Sequence, residues 1–179
     1  MNTLVVYESM YGNTRLIAEA IARGLHRSGT VDVVPASHAR ECDIDTYALL
    51  VVGGPTHVHG MSRLRTRDAA IVAASRPDST VHLEAGASSA GLREWLSTLA
   101  PSPHGLAAAF DTRIDKSPFL TGRASKVIAR KLRRVHLDIV APPESFLVDA
   151  ESNLKAHEIE RAEQWGQSLA AKAAQLRTN

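Results

Sequence analysis

Aromatic side chains are scarce in this chain, at 4% of its 179 residues. No basic surface studded with rings can be assembled from so few, which argues against nucleic-acid binding, and a net charge of +2 is too small to imply it alone. The single cysteine, Cys42, excludes an intramolecular disulfide and a cysteine-based metal site. No apolar run approaches the roughly 20 residues of a membrane-spanning helix. The first strand pattern opens within three residues of Met1, leaving no room for a secretory leader, and cytoplasm is the expected compartment. Internal repeats, low-complexity tracts and linkers are also missing, so one domain over 1–179 is expected. A domain of this length buries about 70% of its unfolded surface.

What is present begins at the N-terminus. Leu4 to Tyr7 is an apolar run with two valines and a tyrosine, the composition of a buried strand. Ser9-Met10-Tyr11-Gly12-Asn13-Thr14 follows, and then Leu16, Ile17, Ala20, Ile21 and Leu25 recur at helical steps. A strand turning sharply into a helix aims free N–H groups and a positive dipole end at whatever occupies the turn. Ser9 and Thr14 add hydroxyls there, and Gly12 permits close backbone approach. This is an anion site, with phosphate its usual occupant. The turn has no Lys-Ser/Thr ending and no G-x-G-x-x-G, which excludes a nucleoside-triphosphate loop and a dinucleotide fingerprint.

Strand and helix patterns then alternate. Val31–Val34, Tyr47–Val52, Leu106–Phe110, and a fifth strand in two pieces, Leu137–Val140 and Phe146–Val148, are separated by helical patterns. These run through Leu92, Trp95, Leu96 and Leu99, through Ala124, Val127, Ile128 and Leu132, and finally from Ile159 to Leu176. Such alternation predicts a parallel α/β sheet with right-handed crossovers. The third strand runs into Gly53-Gly54-Pro55-Thr56-His57-Val58-His59-Gly60, a second glycine-rich exit that this topology sets beside the first loop.

Ser-x-Tyr-Gly-Asn-Thr after the first strand resembles the FMN-phosphate loop of flavodoxin-like proteins, and Gly-Gly-Pro-Thr with a later glycine resembles their loop around the isoalloxazine ring. The resemblance implies the flavodoxin-like fold: a doubly wound five-stranded parallel sheet, order 2-1-3-4-5, with helices on both faces. It implies FMN as cofactor, held by Ser9, Met10, Tyr11, Gly12, Asn13 and Thr14 at the phosphate. Pro55, Thr56, His57, Val58, His59 and Gly60 would lie along one side of the ring. Asp111, Thr112 and Arg113, read as a loop after the fourth strand with Phe119 in reach, would lie along the other. Redox chemistry at a bound flavin follows, either one-electron carriage for a redox partner protein or reduction of a small acceptor such as a quinone, with NAD(P)H open as donor. A partner-binding module without FMN is the third reading.

Typical flavodoxins clamp the ring with aromatics and are strongly acidic; here aromatics are few and the sequence pI is near 8.9. His57 and His59 are expected to edge the flavin rather than bind a metal, and no metal is expected. Glu8 and Asp111 read as solvated loop acids, with a catalytic carboxylate as the alternative. The span from Gly60 to Gly105 is longer than the fold requires; its part 62–91, with an apolar helical pattern at Leu64, Ala69, Val72 and Ala73, suggests a cover over the flavin, with a surface decoration packed away from it as the alternative. Arg123, Lys126, Arg130, Lys131, Arg133 and Arg134 read as a solvated basic face, or a dock for an acidic partner or for the extra phosphate of NADPH.

Overall fold

The computed structural model describes residues 1–57, 60–76, 79, 81–84, 86–87, 89–102 and 105–178. In chain order the elements are β1 (Thr3–Tyr7), α1 (Asn13–Leu25), β2 (Val31–Pro35), β3 (Leu49–His57), β4 (Gly60–Met61), α2 (Leu64–Ala74), α3 (Leu92–Leu96), β5 (Leu106–Ile114), α4 (Pro118–Thr121), α5 (Ala124–Arg134), β6 (Asp138–Ile139), β7 (Glu144–Val148) and α6 (Glu158–Thr178). β1 pairs in parallel with β2 and with β3, Thr3 lying opposite both Val31 and Leu49. β3 pairs with β5 from Leu49↔Leu106 to Pro55↔Thr112. The fifth position is shared: β6 lies along Leu106 and Ala107, and β7 along 110–114. The sheet path is β2-β1-β3-β5-β6, with β7 also on β5 and the short β4 turned back on β3. Apart from β4, this is the expected five-position order.

Because strand residues alternate sides, each strand feeds two cores. Leu4, Val6, Leu50, Val52, Ala107 and Ala109 face a layer with Trp95, Ile128 and Leu132. Val5, Leu49, Val51, Ala108 and Phe110 face Ile17, Ile21, Ala162 and Leu169 of α1 and α6. Phe110, Phe146 and Trp165 pack edge to face there, with centroids 6.1–6.4 Å apart, and the Arg161 guanidinium lies 4.5 Å from the Phe146 centroid.

Three expectations are corrected. β3 does not end at Val52 but runs on to His57. It can carry Pro55 because β1 stops at Tyr7, opposite Gly53, leaving that edge free of a ladder partner. β5 likewise continues to Ile114, so Asp111, Thr112 and Arg113 are strand residues and not a loop. In α2 the buried residues are Arg67 and Ala70, while Leu64 and Val72 stand 61% and 62% exposed. Arg67 is drawn inward because its guanidinium meets Ser62 and Glu94, at 3.2–3.3 Å.

Glu8, too, is buried rather than solvated. Its carboxylate accepts from the Ser62 hydroxyl and from the Leu92 amide at 2.7 Å. On α5, Lys126, Arg130, Arg133 and Arg134 form the solvated face expected, but Arg123 is half-buried and donates to the Ser145 hydroxyl and the Pro143 carbonyl. No helix among the described residues is long and apolar enough to cross a membrane.

α1 and α6 approach so closely that a Cβ on Gly166 would stand 2.3 Å from the Ile21 carbonyl oxygen, and one on Gly24 would stand 2.1 Å from that of Glu163. Alanine is intrinsically the better helix residue by about 1 kcal/mol. Gly166→Ala is nevertheless expected to lose about 1–3 kcal/mol of stability through overpacking. Urea denaturation reads this directly, and an unchanged or raised midpoint would show that the helices can part without cost.

Candidate functional site

β1, β3, β5 and β7 all end on one edge of the sheet, and between their exits lies a cavity of about 360 Å³. Crevices outside the carboxyl ends of parallel strands are where doubly wound sheets bind ligands. The wall from the β1 exit is the best defined. Gly12 is the N-cap of α1, with φ +90° and ψ −23°, a left-handed conformation that favours glycine. Its amide donates to Ser9 Oγ at 3.1 Å, closing the turn. A Cβ placed on Gly12 would find no heavy atom within 4 Å, so the space before it is open.

The α1 ladder starts with Leu16 N–H to the Gly12 carbonyl at 3.0 Å. The amides of Met10, Tyr11, Asn13, Thr14 and Arg15 meet no acceptor among the described residues. Thr14 Oγ1 and Thr112 Oγ1 lie 2.7 Å apart; whichever donates, the other keeps its proton for a ligand. Asn13 donates its side-chain amide to the Ser152 carbonyl, tying the loop to the chain after β7.

Of the residues picked from the sequence, Met10, Tyr11, Asn13, Thr14, Pro55, Thr56, His57, Thr112 and Arg113 line the cavity together. Ser9 and Gly12 shape it from behind through their mutual hydrogen bond. Gly60 is not on the wall: it pairs with His57 across the β3–β4 hairpin. Val58 and His59 lie outside the described residues, and Asp111 lies beneath the site. Phe119 is 97% exposed, while its neighbours Leu120 and Thr121 line the cavity.

Ile114, next to Arg113, also lines the cavity, and sequence reading missed Leu120, Thr121 and the fourth wall, formed by Val148, Asp149, Ala150 and Ser152. One signal was available: Asp149-x-x-x-Asn153 is a polar turn directly after a strand, and Asp149 accepts from the Asn153 amide at 2.8 Å. Ser152, at φ 65°, turns there in the left-handed region.

The side chains at the mouth differ in charge from simple expectation. Burial holds the His57 imidazole below its ordinary 6.5, with Arg67 adding to the effect and Glu8 opposing it, so the ring is neutral near pH 7. Arg113 donates Nη1 to the Ile114 and Lys116 carbonyls, at 3.2 and 2.7 Å, and its buried Nε has no acceptor among the described residues. Among the described residues Tyr11 is the only Phe, Trp or Tyr on the wall; Trp95, Phe110 and Phe146 are committed to the cores.

Ala70, Ile71, Glu84 and Ala87, all within 62–91, pack against or bond to the first loop. Met10, Ala70 and Ala87 form a small buried cluster joined by Tyr11 and Ile71, and the Tyr11 hydroxyl donates to the Ala70 carbonyl at 3.2 Å. The Met10 carbonyl accepts from the Glu84 amide at 2.9 Å.

Residues 5–80 match the flavodoxin family model, and the chain as a whole shares the fold of solved flavodoxins. A flavodoxin from Streptococcus pneumoniae superposes with TM-score 0.66 at 19% identity, covering 96% of this chain and 99% of that one. A flavodoxin from the domain Archaea gives 0.63 at 20% identity, with 97% and 99% covered. The flavodiiron core of Flv1 from Synechocystis gives 0.62 at 20% identity, covering 98% of this chain but 36% of that one. No curated protein sequence matches.

Asp111 is fully buried under the β5 wall. Its Oδ2 accepts from the Ser125 amide at 2.7 Å, anchoring the start of α5, while Oδ1 has no partner among the described residues. Burial pushes its carboxyl above the ordinary 3.8, partly offset by the Ser125 N–H. A raised folded-state pKa means that the unfolded chain gives up this proton first, so stability is lost as pH rises above about 4. Asp111→Asn removes that loss. The variant is expected to exceed the parent by about 1–3 kcal/mol at pH 8, the cost of an uncompensated buried polar group, and by less at pH 5. Thermal unfolding at both pH values tests this; a gap independent of pH would mean that Asp111 titrates normally.

Proposed function

We propose that residues 1–179 form one FMN-binding oxidoreductase domain that passes electrons from its flavin to a small acceptor such as a quinone. The observation that carries this reading is the set of five unpaired amides around Gly12, at the mouth of a cavity on the carboxyl edge of the sheet. Bare amides at a helix start, with hydroxyls and no lysine, suit a terminal phosphate dianion. The cavity falls within the usual size range of cofactor sites, roughly 300–1,000 Å³. Pro55, Ile114, Leu120 and Val148 supply apolar wall for a ring system and exclude water from it.

FMN supplies hydride and single-electron transfer at its isoalloxazine ring. The protein's share is binding, orientation and local charge. Neutral His57 and cationic Arg113 are on the wall, with one carboxylate, Asp149, engaged by Asn153. This balance does not oppose negative charge on a ligand's ring, which favours complete reduction over stopping after one electron. Delivery of single electrons to a redox partner protein is the second reading. It is favoured by the exposed Phe119 and Leu120, an apolar lip at the cavity mouth.

Apoprotein titrated with FMN should develop the absorbance of a bound flavin and bind riboflavin, which lacks the phosphate, far more weakly. Gly12→Val puts a β-branched residue at φ +90° and should weaken FMN roughly ten- to hundredfold, the equivalent of about 1.5–3 kcal/mol from hydrogen bonds to a charged group. Equal affinities for FMN and riboflavin would overturn the phosphate assignment.

A further inference from the structure

Next to the cavity is a second, more open hollow of about 590 Å³ that shares Tyr11 and His57 with it. Its remaining wall comes from the start of α2: Arg63, Arg65, Thr66, Ala69 and Ala70. The neighbouring arginines are engaged, Arg15 with Glu19 and Glu84 and Arg67 with Glu94. Arg63 and Arg65 are exposed, and among the described residues neither forms an ion pair, not even with Asp68 on the same helix. The helix that presents them is anchored. Arg67 and Ala70 are buried, and the Tyr11 hydroxyl holds the Ala70 carbonyl.

We propose that this hollow is the docking site for the flavin's reaction partner and that the partner is a planar aromatic anion, such as a quinone bearing an acidic group. The acidic group would meet the two free guanidinium groups, whose planar donor forks suit carboxylates and sulfonates. Its ring would lie among the Tyr11 and His57 rings and two small alanines that leave room for a flat molecule. Two ring-bearing side chains wall both spaces, so a molecule in the hollow sits next to whatever fills the cavity. The segment 62–91 is then a specificity element more than a cover: it brings charge to the flavin's side rather than sealing it. This deepens the proposed function and rests on it only for what occupies the neighbouring cavity.

Calorimetric titration of the oxidised protein, FMN-loaded and FMN-free, with anthraquinone sulfonate and with a neutral hydroxymethyl anthraquinone is the test. No electrons move in either titration. The sulfonate is expected to bind about tenfold more tightly than the neutral analogue, a difference of about 1.4 kcal/mol, and to lose that advantage at high salt. Arg63→Gln/Arg65→Gln should bring the two within about twofold of each other while FMN affinity, read from flavin absorbance on the same samples, stays unchanged. Equal binding of the two probes by the parent, a preference that survives the double substitution, or no binding of either would overturn the proposal. A sulfonate preference in protein that takes up no FMN would support the docking site and overturn the flavin reading, so the two fail separately.

Discussion

Unequal strand lengths organise this molecule. β1 ends at Tyr7, opposite Gly53, while β3 continues four residues to His57 and β5 continues from Phe110 to Ile114. Beyond Tyr7 the sheet therefore loses a strand while its neighbours run on, and the missing strand's place is taken by a loop and an opening. Ladder bonds made further down hold the long strands straight, so the gap persists without any residue having to prop it open. The loop that replaces the strand must still satisfy its own backbone. It does so only in part, through the Gly12-to-Ser9 bond, and the amides left over give the opening its chemistry.

The second dependence is electrostatic. Glu8, the first residue past β1, is buried, and the Arg67 guanidinium lies close to it beside Gly91. A Cβ on Gly91 would stand 2.3 Å from Arg67 Nη1 and 2.8 Å from Glu8 Oε2, so glycine there makes room for both charges. Burying a carboxylate and a guanidinium is costly unless both are hydrogen-bonded. Ser62, the Leu92 amide and Glu94 meet that need. The network pins both ends of the segment 62–91 to the sheet edge and explains why α2 turns its arginine inward and its leucine and valine outward.

The glycine turn between β1 and α1 was legible from sequence because turn chemistry is local: Ser9, Gly12 and the following helical pattern lie within a dozen residues of each other. The parallel α/β sheet followed from alternating elements for the same reason, and its strand order from the resemblance that the two loops carry. Strand ends were not legible. Whether Pro55 or Asp111 sits in a strand depends on a ladder partner more than fifty residues away in one direction or the other, Thr112 in the first case and Gly54 in the second. The burial of Glu8, Asp111 and Arg67 was equally hidden, since a charged side chain reads as solvated until its partners are known. The fourth wall was missed because nothing local marks Val148 or Ser152 as neighbours of Asn13. Nor does anything local show that His57 lines the cavity while Gly60, its hairpin partner, does not.

Asn13 and Ser152 are joined by a hydrogen bond across 139 positions of sequence. Together with the walls near 56 and 113, this makes the cavity a closed circuit through most of the chain. Synthesis proceeds from the N-terminus, so the anion loop leaves the ribosome early, while the strand and turn that close the ring emerge close to the end. A nascent chain can fold its early strand–helix unit and still lack one side of the pocket. Ligand capture is therefore an event of the finished polypeptide, the more so because α6, the last element made, also covers the inner face of the helix that opens the loop.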